Sequence, residues 1–220
     1  DIVFSDDGIV NLSGDLIGNI NFDGNNATIN VADGKGILGS VETLASNSSG
    51  IINYEGDGKL EGEIKSPGIS ELNINTQNKQ NTPEGVLVTY DAVGRELYAD
   101  FVNLKNNATL TLSDKVNLTS NIIKVDLENN TATLNILGSS TIKGQVGESD
   151  KVLNTIKVAG AAGKTVTFKD MVYASTLKYS DNGKVVLDGD NSLDATSEGM
   201  VGTVDFDSNG GTLEIGDAVN

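Results

Sequence analysis

Residues 121–136, Asn-Ile-Ile-Lys-Val-Asp-Leu-Glu-Asn-Asn-Thr-Ala-Thr-Leu-Asn-Ile, decide the fold of this chain. Ile123, Val125 and Leu127 alternate with polar residues, Glu128 to Asn130 form a polar turn, and Leu134 and Ile136 resume the alternation. Period-2 alternation is what a strand with one buried face requires. Asn and Gly between such runs supply turns, because they adopt left-handed backbone angles at little cost. The same phrase stands at Ile20/Phe22 with Ile29/Val31, at Val102/Leu104 with Leu110/Leu112, and at Ile156/Val158 with Val166/Phe168. It returns at Leu177/Tyr179 with Val185/Leu187 and at Val204/Phe206 with Leu213/Ile215.

A longer period runs through these phrases. Taking Ile29, Ile52, Leu72, Leu110, Leu134, Val166, Val185 and Leu213 as equivalent anchors, most gaps lie between 19 and 28 residues. The 38-residue gap from Leu72 to Leu110 fits two coils, and the 32-residue gap from Leu134 to Val166 fits one coil with an excursion. A third strand-like stretch lies between copies at Ile37–Leu44, Lys59–Ile64, Val116–Asn121 and Thr141–Val146. Inexact repetition at this period, with three strands and three turns per coil, predicts an all-β parallel β-helix. At ~24 residues per coil it has roughly nine coils and, with ~4.8 Å between stacked strands, a length of about 40–45 Å. Residues 1–220 then form one solenoid. The chain opens and closes close to strands without an initiator Met or signal peptide, which reads as a piece of a longer solenoid.

Composition narrows the function. The 15 basic and 31 acidic residues give a formal charge of −16. That balance excludes a nucleic-acid footprint and an anionic membrane surface as partners. It suits a rod that must stay soluble with many exposed strands, and it favours a monomer. With no Cys there is no disulfide framework, and with no His the usual nucleophilic triads and zinc sites are missing. No apolar run reaches the roughly 18 residues that a membrane-spanning helix needs.

Three polar excursions interrupt the repeat, at 75–85, 144–154 and 188–201. Residues 86–104 carry the least regular apolar pattern, and a short helical turn fits Glu96–Phe101. Carboxylate pairs for glycoside hydrolysis are sought at Asp6/Asp7, Asp188/Asp190 and Asp205/Asp207, and surface charge explains each. Asp188, Asp190 and Asp194 alternate as oxygen ligands of Ca²⁺ would, although the loop lacks the sixth-position Gly and distal Glu of an EF-hand. Gly163-Lys164-Thr165 matches too little of a phosphate-binding loop to count. No cofactor is expected. Asn in the turns, at 25/26, 106/107, 129/130 and 209, is expected to stack along the ladder. Partner contact is expected at Lys79, in a neutral to basic patch of the first excursion. It is also expected at Tyr90, Arg95 and Tyr98 just beyond, residue types that favour binding hot spots.

The phrases Asn-Asn-Ala-Thr-Ile-Asn-Val at 25–31, Asn-Asn-Ala-Thr-Leu-Thr-Leu at 106–112 and Thr-Ala-Thr-Leu-Asn-Ile-Leu-Gly-Ser-Ser-Thr-Ile-Lys-Gly at 131–144 carry a resemblance. The chain resembles passenger domains of bacterial autotransporters (type V secretion), and more narrowly those of rickettsial surface cell antigens. The resemblance implies a right-handed parallel β-helix, display at the bacterial cell surface from an outer-membrane β-barrel outside this chain, and non-catalytic adhesion to or invasion of host cells through a host surface protein. The protease subgroup's Gly-Asp-Ser-Gly is absent. The alternatives are a structural spacer or self-associating passenger, and a polysaccharide-active β-helix enzyme.

Overall fold

The computed structural model describes residues 1–23, 26–43, 50–77, 85–125, 131–188, 200–207 and 210–216. Among them there is no helix, and the fold is a parallel β-solenoid of about eight turns. The chain visits three faces in a fixed order. Ile2, Ile20, Val41, Ile64, Leu97 and Leu118 stack on the first face, which continues through Ile142, Phe168, Leu187 and Ile215. Val10, Ile29, Ile52, Leu72, Val102 and Ile123 stack on the second, which continues through Val146, Val172 and Met200. Leu16, Ile37, Leu60, Tyr90, Leu112, Ile136, Val158 and Tyr179 stack on the third. Each column pairs in parallel, so the apolar half of every coil joins one cluster running from Phe4 to Leu187.

The anchors read from the sequence do not share a face. Ile29, Ile52 and Leu72 lie on the second face, Leu110 and Leu134 on the third, and Val166, Val185 and Leu213 on the first. The gaps from Leu72 to Leu110 and from Leu134 to Val166 are therefore each one turn plus one face. The expected roughly nine coils become about eight turns.

The corners explain the irregular stretch at 86–104. No helical turn forms at Glu96–Phe101, because Glu96–Leu104 is one strand that bends from the first face to the second. Leu97 and Ala99 point inward, Asp100 and Phe101 both stay outside, and Val102 points inward again. The bend thus slips the alternation by one residue, and Asn117–Val125 repeats the same slip. At the corner of the next turn Gly144 takes φ +103°, and a Cβ there would lie 1.5 Å from the Ser120 carbonyl oxygen. Gly144 is therefore part of the strand Ser140–Val146, and the second excursion shrinks to 147–152, closed by reciprocal backbone hydrogen bonds between Glu148 and Lys151.

Three tyrosines lie wholly in the core with satisfied hydroxyls. Tyr54 donates to Lys59 O at 2.9 Å, Tyr90 to Glu96 O at 2.8 Å and Tyr179 to Thr212 O at 2.8 Å. Burial raises the pKa of all three, that of Tyr179 to about 12. The folded state holds these protons more tightly than the unfolded chain. Their stabilisation is complete below about pH 10 and is lost as pH climbs through the raised values. Melting temperature followed by circular dichroism should fall from about pH 10 upward, and Tyr54→Phe should make that fall shallower. A profile flat to pH 12, or one that Tyr54→Phe leaves unaltered, contradicts the assignment.

Candidate functional site

Outward side chains stack as regularly as inward ones. On the second face, Asn11, Asn30, Asn53, Asn73 and Asn103 occupy one column. Each Nδ2 donates to the Oδ1 of the asparagine one turn earlier, at 2.7 Å from Asn103, 2.8 Å from Asn73, 2.8 Å from Asn53 and 2.7 Å from Asn30. Amides bonded head to tail polarise one another, so the chain has a donor end at Asn11 and an acceptor end at Asn103 Oδ1. The expectation had put asparagine stacking in the turns. Asn26 and Asn106 do adopt left-handed turn angles, and Asn75 donates to Asn107 Oδ1 at 3.1 Å, but the long ladder lies in the strands. Asn25, Asn129, Asn130 and Asn209 lie outside the described residues. A strand asparagine between two hydrophobic residues, once per coil, was the available signal.

At the acceptor end the column changes character. Lys124 stands in register beyond Asn103, and its Nζ lies 4.0 Å from the centroid of the Phe101 ring. A cleft of about 320 Å³ opens there, lined by Glu71, Asn73, Asn103, Leu104, Lys105, Lys124, Val125, Glu148 and Lys151. Four successive turns contribute to it. Glu71 accepts from Asn73 Nδ2 at 3.0 Å, and Lys151 and Glu148 approach to 3.9 Å. Among the described residues neither Lys105 nor Lys124 has a carboxylate at ion-pair distance. Among the described residues the cleft therefore offers two ammonium groups without an ion-pair partner, beside amide and carboxylate acceptors. A second cavity, of about 390 Å³, lies on the third face between Asp15, Lys35, Asp57 and Lys59. Both of its carboxylates are already committed, Asp15 accepting from Gly36 N at 2.9 Å and Asp57 from Leu87 N at 2.8 Å.

The residues expected to meet a partner separate. Tyr90 is fully buried, its ring packed in the third-face column, and cannot contact a partner. Its place in the alternation Val86, Val88, Tyr90 marks it as inward. Arg95 is exposed and holds Glu63 at 3.3 Å, and Tyr98 is half-buried on the first face nearby. Lys79 lies outside the described residues. The first excursion also begins later than expected. Asn75 is buried, Thr76 N donates to Tyr54 O at 3.1 Å, and Gln77 Nε2 donates to Glu55 at 2.9 Å, so all three belong to the stack.

Two of the carboxylate pairs, Asp6/Asp7 and Asp205/Asp207, sit at the surface. Asp7 N caps the Asp6 carboxylate at 2.8 Å, and Asp207 N caps Asp205 at 2.8 Å, with Lys178 Nζ 4.0 Å from Asp205 and 3.4 Å from Asp207. Among the described residues no cluster of three acidic ligands could hold a metal. Asp188 pairs with Lys169, while Asp190 and Asp194 lie outside the described residues, as does most of the third excursion. Lys164 is held by Asp114, whose carboxyl that hydrogen bond keeps below its ordinary pKa.

The third face carries a further column, Thr109, Thr133, Thr155, Thr176 and Thr203, stacked in register outside the core. Fold and outward columns together define the chain as a parallel β-solenoid that displays repeated polar side chains. No family model, curated protein or solved structure matches it.

Proposed function

We propose that this chain is a non-catalytic segment of a bacterial surface adhesin, a passenger displayed outside an outer-membrane β-barrel, that binds a host cell-surface partner. The observation that carries the reading is the unbroken parallel stack. Its single core is built from inward residues, which leaves the outward columns and corners available for recognition. The resemblance of the Asn-Asn-Ala-Thr and Thr-Leu phrases to autotransporter passengers supports it. The proposed partner contact rests on Lys79 of the first excursion and on Arg95 and Tyr98 beyond it.

The test is binding of the fluorescently labelled, folded chain to cultured host cells. Saturable binding that an unlabelled excess displaces is expected. Lys79→Glu combined with Arg95→Glu and Tyr98→Ala should reduce it at least tenfold with little loss of melting temperature. Binding no greater than that of an unrelated acidic solenoid overturns the adhesin reading. Full binding by the folded triple variant moves the contact off those three residues. The threonine column favours a second reading, lateral pairing between copies. In that case sedimentation should show dimers that strengthen with added salt, since salt screens the acidic coats.

A further inference from the structure

We propose that the cleft at the acceptor end of the asparagine ladder binds one carboxylated sugar residue of a glycan. The inference deepens the adhesin reading and rests on it for the glycan's origin on a host surface.

The argument begins with charge. Residues 95–187 hold 11 of the 15 basic residues but only 9 of the 31 acidic ones, so the middle of an acidic rod is slightly cationic. Within that zone Lys105 and Lys124 face the cleft, and no carboxylate among the described residues lies at ion-pair distance from either. A cleft of about 320 Å³ lies at the small end of the range for small-molecule sites, about 300–1,000 Å³, which suits one sugar unit.

The acceptors choose between anions. Glu71, Glu148 and Asn103 Oδ1 share the cleft with the lysines. A sulfate ion or the dianion of a phosphate monoester would meet the two carboxylates with oxygens that have no hydrogen to give. A carboxylated sugar brings both halves. Its carboxylate takes the ammonium groups of Lys105 and Lys124, and its hydroxyls donate to Asn103 Oδ1 and to Glu71. The ladder strengthens the first of those hydroxyl bonds, because four amides polarise Asn103 Oδ1 from behind. Glu71 is held in place by its bond from Asn73, so the acceptor is positioned before the ligand arrives.

Carboxylated sugars occur as sialic acid at glycan ends and as uronic acid within long polyanions. The acidic ends of this rod repel a long polyanion, so a terminal sialic acid is the favoured source.

The experiment measures binding of the purified chain to sialyllactose, lactose and a hyaluronan oligosaccharide, by saturation-transfer NMR and titration calorimetry. Sialyllactose is expected to bind, lactose not, and hyaluronan more weakly. Lys105→Glu and Lys124→Glu should each weaken sialyllactose at least tenfold. Lys143→Glu, which makes the same charge change outside the cleft, should stay within twofold. Asn103→Leu should weaken it severalfold while leaving its salt dependence unchanged. Equal binding of lactose overturns the proposal, as does no binding at millimolar sugar or a Lys143→Glu effect equal to that of Lys124→Glu. Hyaluronan binding that Lys124→Glu abolishes keeps the site and reassigns the source to uronic acid. Cell binding that persists while sialyllactose and hyaluronan both fail sinks this inference alone, whereas loss of cell binding with sugar binding intact sinks the adhesin reading.

Discussion

Leu134→Asp is expected to unfold the middle of the rod. Leu134 is fully buried and stacks between Leu110 and Ile156 in the third-face column. A carboxylate there meets only apolar neighbours and has no partner, which should cost more than about 4 kcal/mol. Asn135→Asp, one residue on, faces outward beside Lys157 in register and gives up one 3.3 Å bond to Thr111. It should cost less than about 1 kcal/mol. Urea titration of the two variants checks the pair. Because each turn contacts only its neighbours, Leu134→Asp should also split the transition, leaving the turns before it to melt separately. Equal midpoints for the two variants would show that the inward and outward faces are misassigned.

Gly144→Ala should be the most damaging small substitution. Most substitutions that add one methyl are absorbed by side-chain movement, but here the obstacle is backbone. The new Cβ would stand 1.5 Å from the Ser120 carbonyl oxygen, at a corner where φ is +103°. Ser120 is fixed in turn, its one hydroxyl hydrogen shared between the Asp100 and Ile122 carbonyls at 3.1 and 3.0 Å. Relief requires two adjacent turns to part, at an expected cost above about 3 kcal/mol. Gly163→Ala is the matched control. Its φ is +85° but nothing lies within 4 Å of its Cβ, so only the left-handed strain remains, about 1–2 kcal/mol. If the two variants melt together, strain alone governs both and the close approach of the corners is wrong.

Much of this architecture was legible in the residues. Alternation marks Ile123, Val125, Leu134 and Ile136 as inward whatever coil they belong to, because a strand side chain has only two directions. Abundant Gly and Asn between short runs demand turns, and repetition demands stacking. Face and register were not legible. An apolar-polar-apolar triplet reads the same on any of three faces, so Leu72 and Leu110 passed for equivalent positions although they lie on different walls. The corner at Asp100 and Phe101 broke the alternation and mimicked a helical turn, since a bent strand leaves two successive residues outside. Asn11, Asn30, Asn53, Asn73 and Asn103 were all visible between hydrophobic neighbours. That they bond in a chain depends on a register that only the stacked coils set. The cleft is further still from the sequence, because Glu71 and Lys151 stand 80 residues apart and meet only when four turns are laid one on another. Local chemistry determined which residues form strands and which way they point. The vertical stacking of non-local strands decided what each outward side chain stands beside, and recognition depends on those neighbours.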